Sequence, residues 1–503
     1  MRVLAEPPAR RAVRLRACDN PAEQRRVTSK PRARSPGSAG APPARANTTT
    51  PRERGITVAT SATASLPLAH LLPISASLGE SGALSVGGCD LPNLAREYGT
   101  PLYIYDLATL QRQARGFLEA FRAEHEETTA LYAAKAFLNR PFARLIAAEG
   151  YGFDAVSGGE LAVMLAAGVD PATIYLHGNN KSPEELRSAV EAGVGRVVID
   201  NLGEIALLEE AAAGAGVRQP VLLRVSPGVD AYTHEKTTTG ILDSKFGVAI
   251  ATGDAEEAVR RIAASEHLDL RGLHMHLGSP IFELTPYERG IEVVAAFQAE
   301  VCRDGLGLDF DELSVGGGFA IGYHGEQEPP PPAAYARVIC GTVRREADAR
   351  GLPLPRLVIE PGRSLVGRAG LALYSVGARK EIEGVRTYVS VDGGMADNVR
   401  PAMYGSRYEL ISAERPLAPS EETVTIAGKY CESGDLLARD IETPRLRAGE
   451  IVAMPAAGAY QVAMESNYNL ALRPAVVLVA NGEARLLRRR QTFEDLMSLD
   501  VDP

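Results

Sequence analysis

Eight short apolar segments, rich in β-branched residues, recur between Leu131 and Glu360. Stretches of helical character rich in Ala, Glu and Arg separate them, as strands and helices alternate in parallel sheets. Eight such units over about 230 residues suit a closed (β/α)₈ barrel, so we predict a TIM barrel. The predicted strands are Leu131–Lys135, Gly152–Val156, Thr173–Leu176, Arg196–Asp200, Val221–Val225, Leu270–His276, Glu312–Val315 and Arg356–Glu360.

The sequence on either side of the predicted barrel has a different pattern of apolar and polar residues. After Gly370, segments of period two such as Arg386–Val391 predict an all-β domain. The strand-like segment Leu102–Tyr105 precedes the barrel, and we expect it to join the later sheet. The expected domains are an N-terminal strand segment (64–118) that pairs with the C-terminal β domain, the barrel (119–370), and the C-terminal β domain (371–503).

Residues 1–63 differ again in composition. The first 60 residues carry a formal charge of +9, so the remainder carries −18 of the total of −9. They are rich in Arg, Pro, Ser, Thr and Ala, a composition that cannot offset its ordering entropy by burial, so we expect disorder. Three interpretations stay open: a start codon placed too early, a transit peptide, or an interaction arm. The first is favoured, because only seven of the 54 basic residues are Lys. This is typical of GC-rich genes, in which upstream reading frames often stay open by chance.

Composition also excludes several classes of protein. No apolar run approaches the roughly 20 residues that span a bilayer. The five cysteines lack CxxC spacing, which favours a reducing compartment, and we expect a cytoplasmic protein without a disulfide framework or structural zinc. The basic residues of the N-terminal segment are not interleaved with aromatic residues, and the rest of the chain is acidic, so we expect no nucleic-acid partner.

Lys135 ends the first predicted strand, and the loops after barrel strands carry the active site. We expect Lys135 to be buried there. The flanking Tyr132, Ala133, Ala134 and Phe137 would then desolvate its ammonium group and lower its pKa. A lysine of this kind is a candidate for Schiff-base formation with an aldehyde.

The sixth predicted strand ends at His276, which brings an imidazole and the hydroxyl of Ser279 to the same rim. A planar cofactor would stack on His276. We expect His274 and His276 to point to opposite faces of the strand, so that they do not chelate one ion together, and we predict no metal site.

Glycine-rich turns follow the last two predicted strands. Gly316–Gly318 and the segment Glu360-Pro361-Gly362-Arg363 would supply free backbone N–H groups and an arginine for a phosphate. Glu360 is the acid best placed to pair with a ring nitrogen, because it terminates a strand. A carboxylate there keeps a pyridinium protonated, which makes pyridoxal phosphate a strong electron sink.

These motifs resemble the fold-type III pyridoxal-phosphate decarboxylases, and within them the diaminopimelate decarboxylases. The resemblance extends over about residues 66–495. Besides the segments above, it is carried by Gly152-Phe-Asp154-Ala-Val-Ser157, Asp392-Gly-Gly-Met-Ala-Asp-Asn-Val-Arg400-Pro-Ala-Met-Tyr404, Cys431-Glu432-Ser-Gly-Asp435, Gly458-Ala-Tyr460 and Ser466-Asn-Tyr-Asn469.

The resemblance implies roles for particular residues. Lys135 would carry the cofactor, His276 would stack on its ring and Glu360 would pair with the ring nitrogen. The phosphate would be surrounded by Ser279, Gly317, Gly318, Gly362, Arg363 and Tyr460, next to Pro361; Asp154, Glu160 and Arg224 would support the cofactor. Substrate binding would fall to Arg363, Arg400, Tyr404, Glu432 and Tyr460, and proton donation to Cys431.

The implied reaction converts meso-2,6-diaminopimelate to L-lysine and CO₂, the last step of lysine biosynthesis. Two guanidinium groups, Arg363 and Arg400, and one anion, Glu432, are suited to a substrate with two carboxylates and two ammonium groups. The resemblance also implies a homodimer in which Cys431 reaches the partner's site. Alternatives are decarboxylation of ornithine, arginine or carboxynorspermidine, an amino-acid racemase, and a non-catalytic binding homologue.

Overall fold

The computed structural model describes residues 66–231, 238–241, 243–325 and 327–502. The predicted disordered or mis-started extension, residues 1–63, lies outside these ranges. Within them, no helix combines the length and apolar character that a bilayer crossing requires.

The described chain begins with a small antiparallel sheet. Its strands are β1 (Ser77–Leu78), β2 (Leu84–Val86) and β3 (Cys89–Asp90). Helix α1 (Leu91–Tyr98), strand β4 (Leu102–Asp106) and helix α2 (Leu107–Glu124) then lead into the barrel.

All eight predicted barrel strands form, and they close on themselves. In spatial order they run β9-β11-β12-β13-β5-β6-β7-β8, and β8 pairs with β9 to complete the ring. Every pairing in the ring is parallel, as predicted. The strands are β5 (Thr128–Ala133), β6 (Gly152–Ala155), β7 (Ile174–Leu176), β8 (Arg196–Ile199), β9 (Gln219–Ser226), β11 (Leu268–His274), β12 (Glu312–Ser314) and β13 (Arg356–Ile359), with a short β10 (Val248–Ala249) added beside β9.

Helices connect successive strands around the barrel. Helix α5 shows why they begin and end where they do: Ser182 and Glu185 form a reciprocal capping box at its start, and Gly193 ends it in the left-handed conformation. Such a cap stabilises a helix by about 1 kcal/mol. The helices are α3 (Arg140–Ala148), α4 (Gly158–Ala167), α5 (Pro183–Ala192), α6 (Leu202–Ala215), α7 (Asp254–Ala264), α8 (Thr285–Phe297), α9 (Asp304–Leu306), α10 (Pro332–Arg350) and α11 (Arg363–Val366).

The amino-terminal end of the barrel is closed by a buried ionic cluster. Glu312, at the first position of β12, accepts a hydrogen bond from the Tyr175 hydroxyl at 2.8 Å and pairs with Arg196 at 2.8 Å and with Arg356. Above it, Leu131, Tyr175, Val198, Leu222 and Val358 fill the barrel interior. The opposite end, where the strands finish, is therefore the end that is open to a ligand.

The second large sheet confirms the predicted β domain and its recruitment of the N-terminal strand. β4 pairs antiparallel with β14 and parallel with β20, so it is an interior strand of the order β18-β17-β15-β14-β4-β20-β21. The strands are β14 (Gly370–Ile382), β15 (Arg386–Val391), β16 (Ile411–Ser412), β17 (Glu422–Ala427), β18 (Leu436–Thr443), β19 (Ile451–Met454), β20 (Ala475–Ala480) and β21 (Glu483–Arg488), with helices α12 (Arg400–Tyr404) and α13 (Phe493–Met497).

Candidate functional site

A cavity lies at the carboxyl ends of the barrel strands, where the second sheet contributes to its wall. It has two adjoining parts, the larger with a volume of about 670 Å³. Most of the site residues expected from sequence line it: Lys135, Asp154, Glu160, Arg224, His276, Ser279, Gly317, Gly318, Glu360, Gly362, Arg363, Arg400, Tyr404 and Tyr460. Residues near or after the ends of six of the eight barrel strands therefore meet residues of the β domain at one place.

Lys135 follows β5 in a single 3₁₀ turn, Ala134–Ala136. Its neighbours Ala134 and Ala136 are buried, but Lys135 itself is exposed to the cavity, so the expected burial of its side chain is wrong. The reason is that Tyr132 packs on the other side of the strand, against the rings of Phe142 and Phe153, and does not cover the amine. The amine is thus accessible for reaction.

The loop of the β domain that carries Tyr460 is anchored beside this lysine. The Tyr460 backbone N–H donates to the carbonyl oxygen of Ala136 at 2.9 Å. Tyr460 has a φ of 60°, in the left-handed region that non-glycine residues rarely adopt, and such backbone strain is concentrated at functional sites. Tyr460 is therefore fixed against the turn that presents Lys135.

A buried carboxylate, Glu360, lies at the end of β13. It accepts a hydrogen bond from the Ser314 hydroxyl at 2.8 Å, and His274 Nε2 lies 3.1 Å from the same oxygen. Burial raises the pKa of Glu360, but the neighbouring histidines outweigh it and hold that pKa well below the ordinary value. Glu360 is therefore the negative charge at the base of the cavity.

Asp154 and His177 complete this group. Burial first, and then the charge of Glu360, raise the pKa of Asp154 to about 8, so Asp154 holds a proton at neutral pH. Burial lowers the pKa of His177 well below its usual value, and His177 Nε2 lies 3.6 Å from Glu360 and 3.8 Å from Asp154. One carboxylate is charged and the other is neutral, as expected of two acids in one buried site.

His274 and His276 both line the cavity, so the expectation that they point to opposite faces is wrong. Residues two apart in a strand share a face, and it is Met275 between them that packs into the core. The donor atoms of His177, His274 and Glu360 all lie within 4.8 Å of one another, which is close enough for one metal ion. Opposite strand faces therefore do not rule out a metal ion here, and the absence of a metal stays a prediction.

His276 is held by the glycine-rich turn. The Gly317 N–H donates to its Nδ1 at 3.1 Å, and burial, followed by the charges of Lys135 and Arg224, lowers the pKa of His276 well below its ordinary value. The ring is thus neutral and fixed in orientation, as a stacking group needs to be.

The glycine-rich turn packs closely against its neighbours, and its role in holding a phosphate stays a prediction. A Cβ on Gly317 would lie 2.4 Å from the Glu360 carbonyl oxygen, and Gly318 has a φ of 110°. The N–H groups of Gly316 and Gly317 are not free as expected, since they donate to Ser314 Oγ and His276 Nδ1. Within the described ranges, the N–H groups of Gly318 and Gly362 have no acceptor.

Arg363 and Arg400 are buried guanidinium groups without a carboxylate within 4.0 Å in the described part of the chain. Arg363 Nε donates to Ser279 Oγ at 3.2 Å, and Arg400 Nε donates to the Tyr408 hydroxyl at 2.9 Å. A buried cation without a counter-ion is costly, so this pair marks a place for an anionic ligand.

Arg224 is arranged differently. Its guanidinium lies 3.5 Å from Asp200 and 4.6 Å from the ring centre of Phe246, and burial lowers its pKa. Glu160 accepts a hydrogen bond from the Val156 N–H at 2.7 Å, and burial raises its pKa. Both side chains line the cavity wall beside Lys135.

Two expected residues do not reach the cavity of their own chain. Cys431 and Glu432 are exposed; the Cys431 N–H donates to Asn469 Oδ1 at 3.1 Å, and the carboxylate of Glu432 accepts from Tyr468. Pro361 does not line the cavity either, but its carbonyl oxygen accepts from the Ala133 N–H at 3.3 Å.

Sequence reasoning missed His177, Ser314, Tyr323 and Tyr408. A signal existed for His177, because it immediately follows the third predicted strand, as Lys135 ends the first. Ser314 is the last residue of β12 and carries the same signal. Tyr323 and Tyr408 lie in irregular segments and have no local signal.

Comparison with known proteins identifies the family. Residues 107–367 match the profile of the pyridoxal-dependent decarboxylases, pyridoxal binding domain. The chain is 45% identical to the diaminopimelate decarboxylase of Bacillus subtilis over 84% of this chain and 96% of that protein. The chain belongs to the diaminopimelate decarboxylase family. A second member, from Mycobacterium tuberculosis, is 43% identical over 86% of this chain and 98% of its own.

The structures of the family agree with the fold. The crystal structure of the M. jannaschii diaminopimelate decarboxylase superimposes with a TM-score of 0.80 at 33% identity, over 86% of this chain and 98% of that one. A structure of the same enzyme in complex with L-lysine gives the same TM-score over 85% of this chain. The barrel with an added β domain is thus the architecture of the diaminopimelate decarboxylase family.

Proposed function

We propose that this protein decarboxylates meso-2,6-diaminopimelate to L-lysine and CO₂ with pyridoxal 5′-phosphate as cofactor. The observation that carries the proposal is an accessible amine, Lys135, in one cavity with two buried guanidinium groups, Arg363 and Arg400, that have no carboxylate partner among the described residues. The names of the family relatives and the lysine complex of the M. jannaschii enzyme support it.

The residues of the cavity fit this cofactor. Lys135 offers the amine for its aldehyde, Glu360 the anion for its ring nitrogen, and His276 the flat ring for its face. Gly318 and Gly362 offer N–H groups to its phosphate, together with the side chains of Ser279, Arg363 and Tyr460, whereas the N–H of Gly317 is used to hold His276. When bound there, the cofactor supplies an electron sink for the negative charge that remains when a carboxylate leaves as CO₂.

The chain's own groups keep charges and protons in place during such a reaction. Ionised Glu360, held by Ser314 and His274, keeps the proton of the ring nitrogen. Asp154 is neutral at pH 7 and therefore does not compete with Glu360 for that proton. Lys135 would hold the cofactor through its side-chain amine, and the same amine, which is exposed to the cavity, would serve as a base there.

Substrate selection falls to groups that match the two ends of the substrate. We assign the carboxylate that is retained to Arg363 and Arg400, next to Tyr404 and Tyr460, since planar guanidinium groups bind carboxylates in two-point contacts. The carboxylate on the D-configured carbon then lies near Lys135 and leaves. An ammonium group of the substrate needs an anion, which we assign to Glu432.

Glu432 and Cys431 are outside the cavity of their own chain, so their roles require a second copy. We propose a homodimer with shared sites, in which Cys431 of the partner subunit delivers the proton to the carbon that has lost CO₂. Mixing Lys135→Ala chains with Cys431→Ala chains tests this. Shared sites predict that verified mixed dimers regain activity, because one of the two sites is intact; mixed dimers without activity would contradict the assignment.

Product analysis tests the reaction itself. Purified holoenzyme is incubated with meso-diaminopimelate, and L-lysine is identified by mass spectrometry and chiral chromatography. Ornithine, arginine and carboxynorspermidine serve as rival substrates, and inversion at the α-carbon reports a racemase. A higher kcat/KM on any rival than on diaminopimelate would overturn the proposal, and so would cofactor binding without turnover of any substrate. We further propose a cytoplasmic location and the domain limits given above.

A further inference from the structure

Tyr323 is a buried residue that contacts both arginines of the cavity. It lies in the irregular segment after β12 and is only 7% exposed. Its hydroxyl oxygen accepts a hydrogen bond from Arg363 Nη1 at 2.6 Å. The centre of its ring lies 5.6 Å from the Cζ of Arg363 and 5.2 Å from the Cζ of Arg400.

Tyr460 lies against the same two guanidinium groups. Its ring centre is 4.8 Å from the Cζ of Arg363 and 5.6 Å from that of Arg400. The two cations therefore share two aromatic rings, whose negative faces offset the repulsion between like charges in a site with little water. Tyr323 differs from Tyr460 because, besides its ring contacts, it accepts a hydrogen bond from Arg363.

A third tyrosine extends the arrangement. Tyr408 packs edge-on against Tyr323, with ring centres 5.5 Å apart at 85°, and its hydroxyl accepts from Arg400 Nε at 2.9 Å. Arg363, Tyr323, Tyr408 and Arg400 thus form a continuous series of contacts. A shift of Tyr323 would move both guanidinium groups.

The remaining hydrogen-bonding capacity of the arginines is directed to the cavity. Arg363 uses Nε for Ser279 and Nη1 for Tyr323, whereas Arg400 uses Nε for Tyr408 and Nη2 for Ser406. Among the described residues, no acceptor faces Arg363 Nη2 or Arg400 Nη1. Each arginine therefore has one terminal nitrogen left for a ligand.

The electrostatics of Tyr323 agree with this geometry. Burial raises the pKa of its phenol, but Arg363 and Arg400 outweigh burial and bring that pKa below the ordinary value. The oxygen of Tyr323 is therefore a strong acceptor for Arg363. Burial raises the pKa of Tyr408, which keeps its proton.

We propose that Tyr323 is a positioning residue that fixes the spacing of Arg363 and Arg400 and so makes the site selective for a substrate with a second carboxylate. This inference rests on the proposed function, since the ligand it selects is the retained carboxylate of diaminopimelate. Tyr323 acts through the arginines. A substrate with a single carboxylate loses that carboxylate near Lys135 and makes no use of the pair.

The test uses two variants of Tyr323 and one control in the full-length holoenzyme. Tyr323→Phe keeps the ring and removes the hydroxyl, whereas Tyr323→Leu removes the ring as well. Tyr335→Phe is the matched control, because Tyr335 is also buried and its hydroxyl donates to the Ile281 carbonyl and accepts from the Ala320 N–H. In the described part of the chain Tyr335 has no arginine contact. The readouts are KM and kcat for meso-diaminopimelate, the same constants for ornithine, and the dissociation constant of pyridoxal phosphate.

For Tyr323→Phe we expect KM for diaminopimelate to rise about tenfold, because the variant loses one hydrogen bond to a charged group. Its KM for ornithine should be unchanged. Its kcat and its cofactor affinity should stay within about threefold, because Arg363 keeps its hydrogen bond to Ser279 and is one of several groups at the phosphate. Tyr323→Leu should lower kcat/KM for diaminopimelate by about 100-fold, and Tyr335→Phe should leave every constant within about twofold.

Two outcomes overturn the inference. One is an unchanged KM for diaminopimelate in Tyr323→Phe. The other is a loss of kcat and cofactor affinity in both Tyr323→Phe and Tyr335→Phe. This result would indicate that either substitution loosens the packing around it and that Tyr323 has no specific role in positioning the arginines. A wild-type enzyme that binds diaminopimelate without turning it over refutes the proposed function separately, and calorimetric dissociation constants for the same variants then decide on Tyr323. A wild-type enzyme that neither binds nor converts it overturns both proposals.

Discussion

Replacing Glu360 with Gln removes one negative charge from the base of the cavity and keeps the shape of the side chain. Glu360 is 5% exposed, accepts a hydrogen bond from Ser314 at 2.8 Å and lies 3.1 Å from His274. Truncating one partner of a buried, hydrogen-bonded charge pair costs about 2–5 kcal/mol. At 1.36 kcal/mol for each factor of ten, we expect kcat to fall by about 30- to 5,000-fold.

The assay is CO₂ release from meso-diaminopimelate by enzyme saturated with pyridoxal phosphate, so that weaker cofactor binding does not lower the rate. Glu312→Gln is the matched control, because Glu312 is equally buried at the opposite end of the barrel, paired with Arg196 and Arg356. It should lose about 1–3 kcal/mol of stability, because its partners Arg196 and Arg356 are partly exposed, and it should keep its kcat. A Glu360→Gln enzyme with wild-type kcat would refute the role of Glu360 as the partner of the ring nitrogen.

Three further predictions follow from the same site. Arg400→Met should raise KM for diaminopimelate by about 100-fold or more and leave the absorbance of the bound cofactor unchanged; an unchanged KM would contradict substrate binding by Arg400. The pKa of Asp154 is raised to about 8 in the folded chain, so Asp154 takes up a proton on folding at neutral pH. The free energy of unfolding of the cofactor-free protein should therefore fall as the pH rises from about 4 to 8, by up to about 1.4 kcal/mol per pH unit. Asp154→Asn should flatten that dependence in denaturant titrations, and an equally steep curve would show that Asp154 is not the cause. Dialysis against a chelator should leave activity intact, whereas a loss restored by zinc would place a metal at His177, His274 and Glu360.

The sequence was sufficient for the architecture because the hydrophobic pattern is local. Each strand of the ring is a short apolar run with turn residues beside it, and the rule that chemistry follows the strands places Lys135, His276 and Glu360 without any tertiary information. The exposure of Lys135 was not predictable in this way, since it depends on which side of β5 Tyr132 occupies. The prediction for His274 was wrong because it placed residues two apart in a strand on opposite faces. Such residues share a face, so the sequence alone was enough to place His274 beside His276.

Tyr323 and Tyr408 required the structure for a different reason. Tyr323 lies 40 residues before Arg363 and Tyr408 lies 45 residues after it. Tyr323 contacts both Arg363 and Arg400 only because the barrel and the second sheet come together there. Such contacts between irregular segments leave no periodic trace. Cys431 and Glu432 represent a further limit, because one chain alone does not bring them to the cavity, and their assignment still rests on family resemblance and on the proposed dimer.

The central claim is that Lys135 holds the cofactor. Reduction of the holoenzyme with borohydride, digestion and mass spectrometry identifies the lysine that carries it. The account predicts the label on Lys135 alone, while Lys181, buried and bonded to Glu204 at 2.7 Å, stays unmodified. A label on Lys181 or any other lysine, or no label at all, would contradict the account.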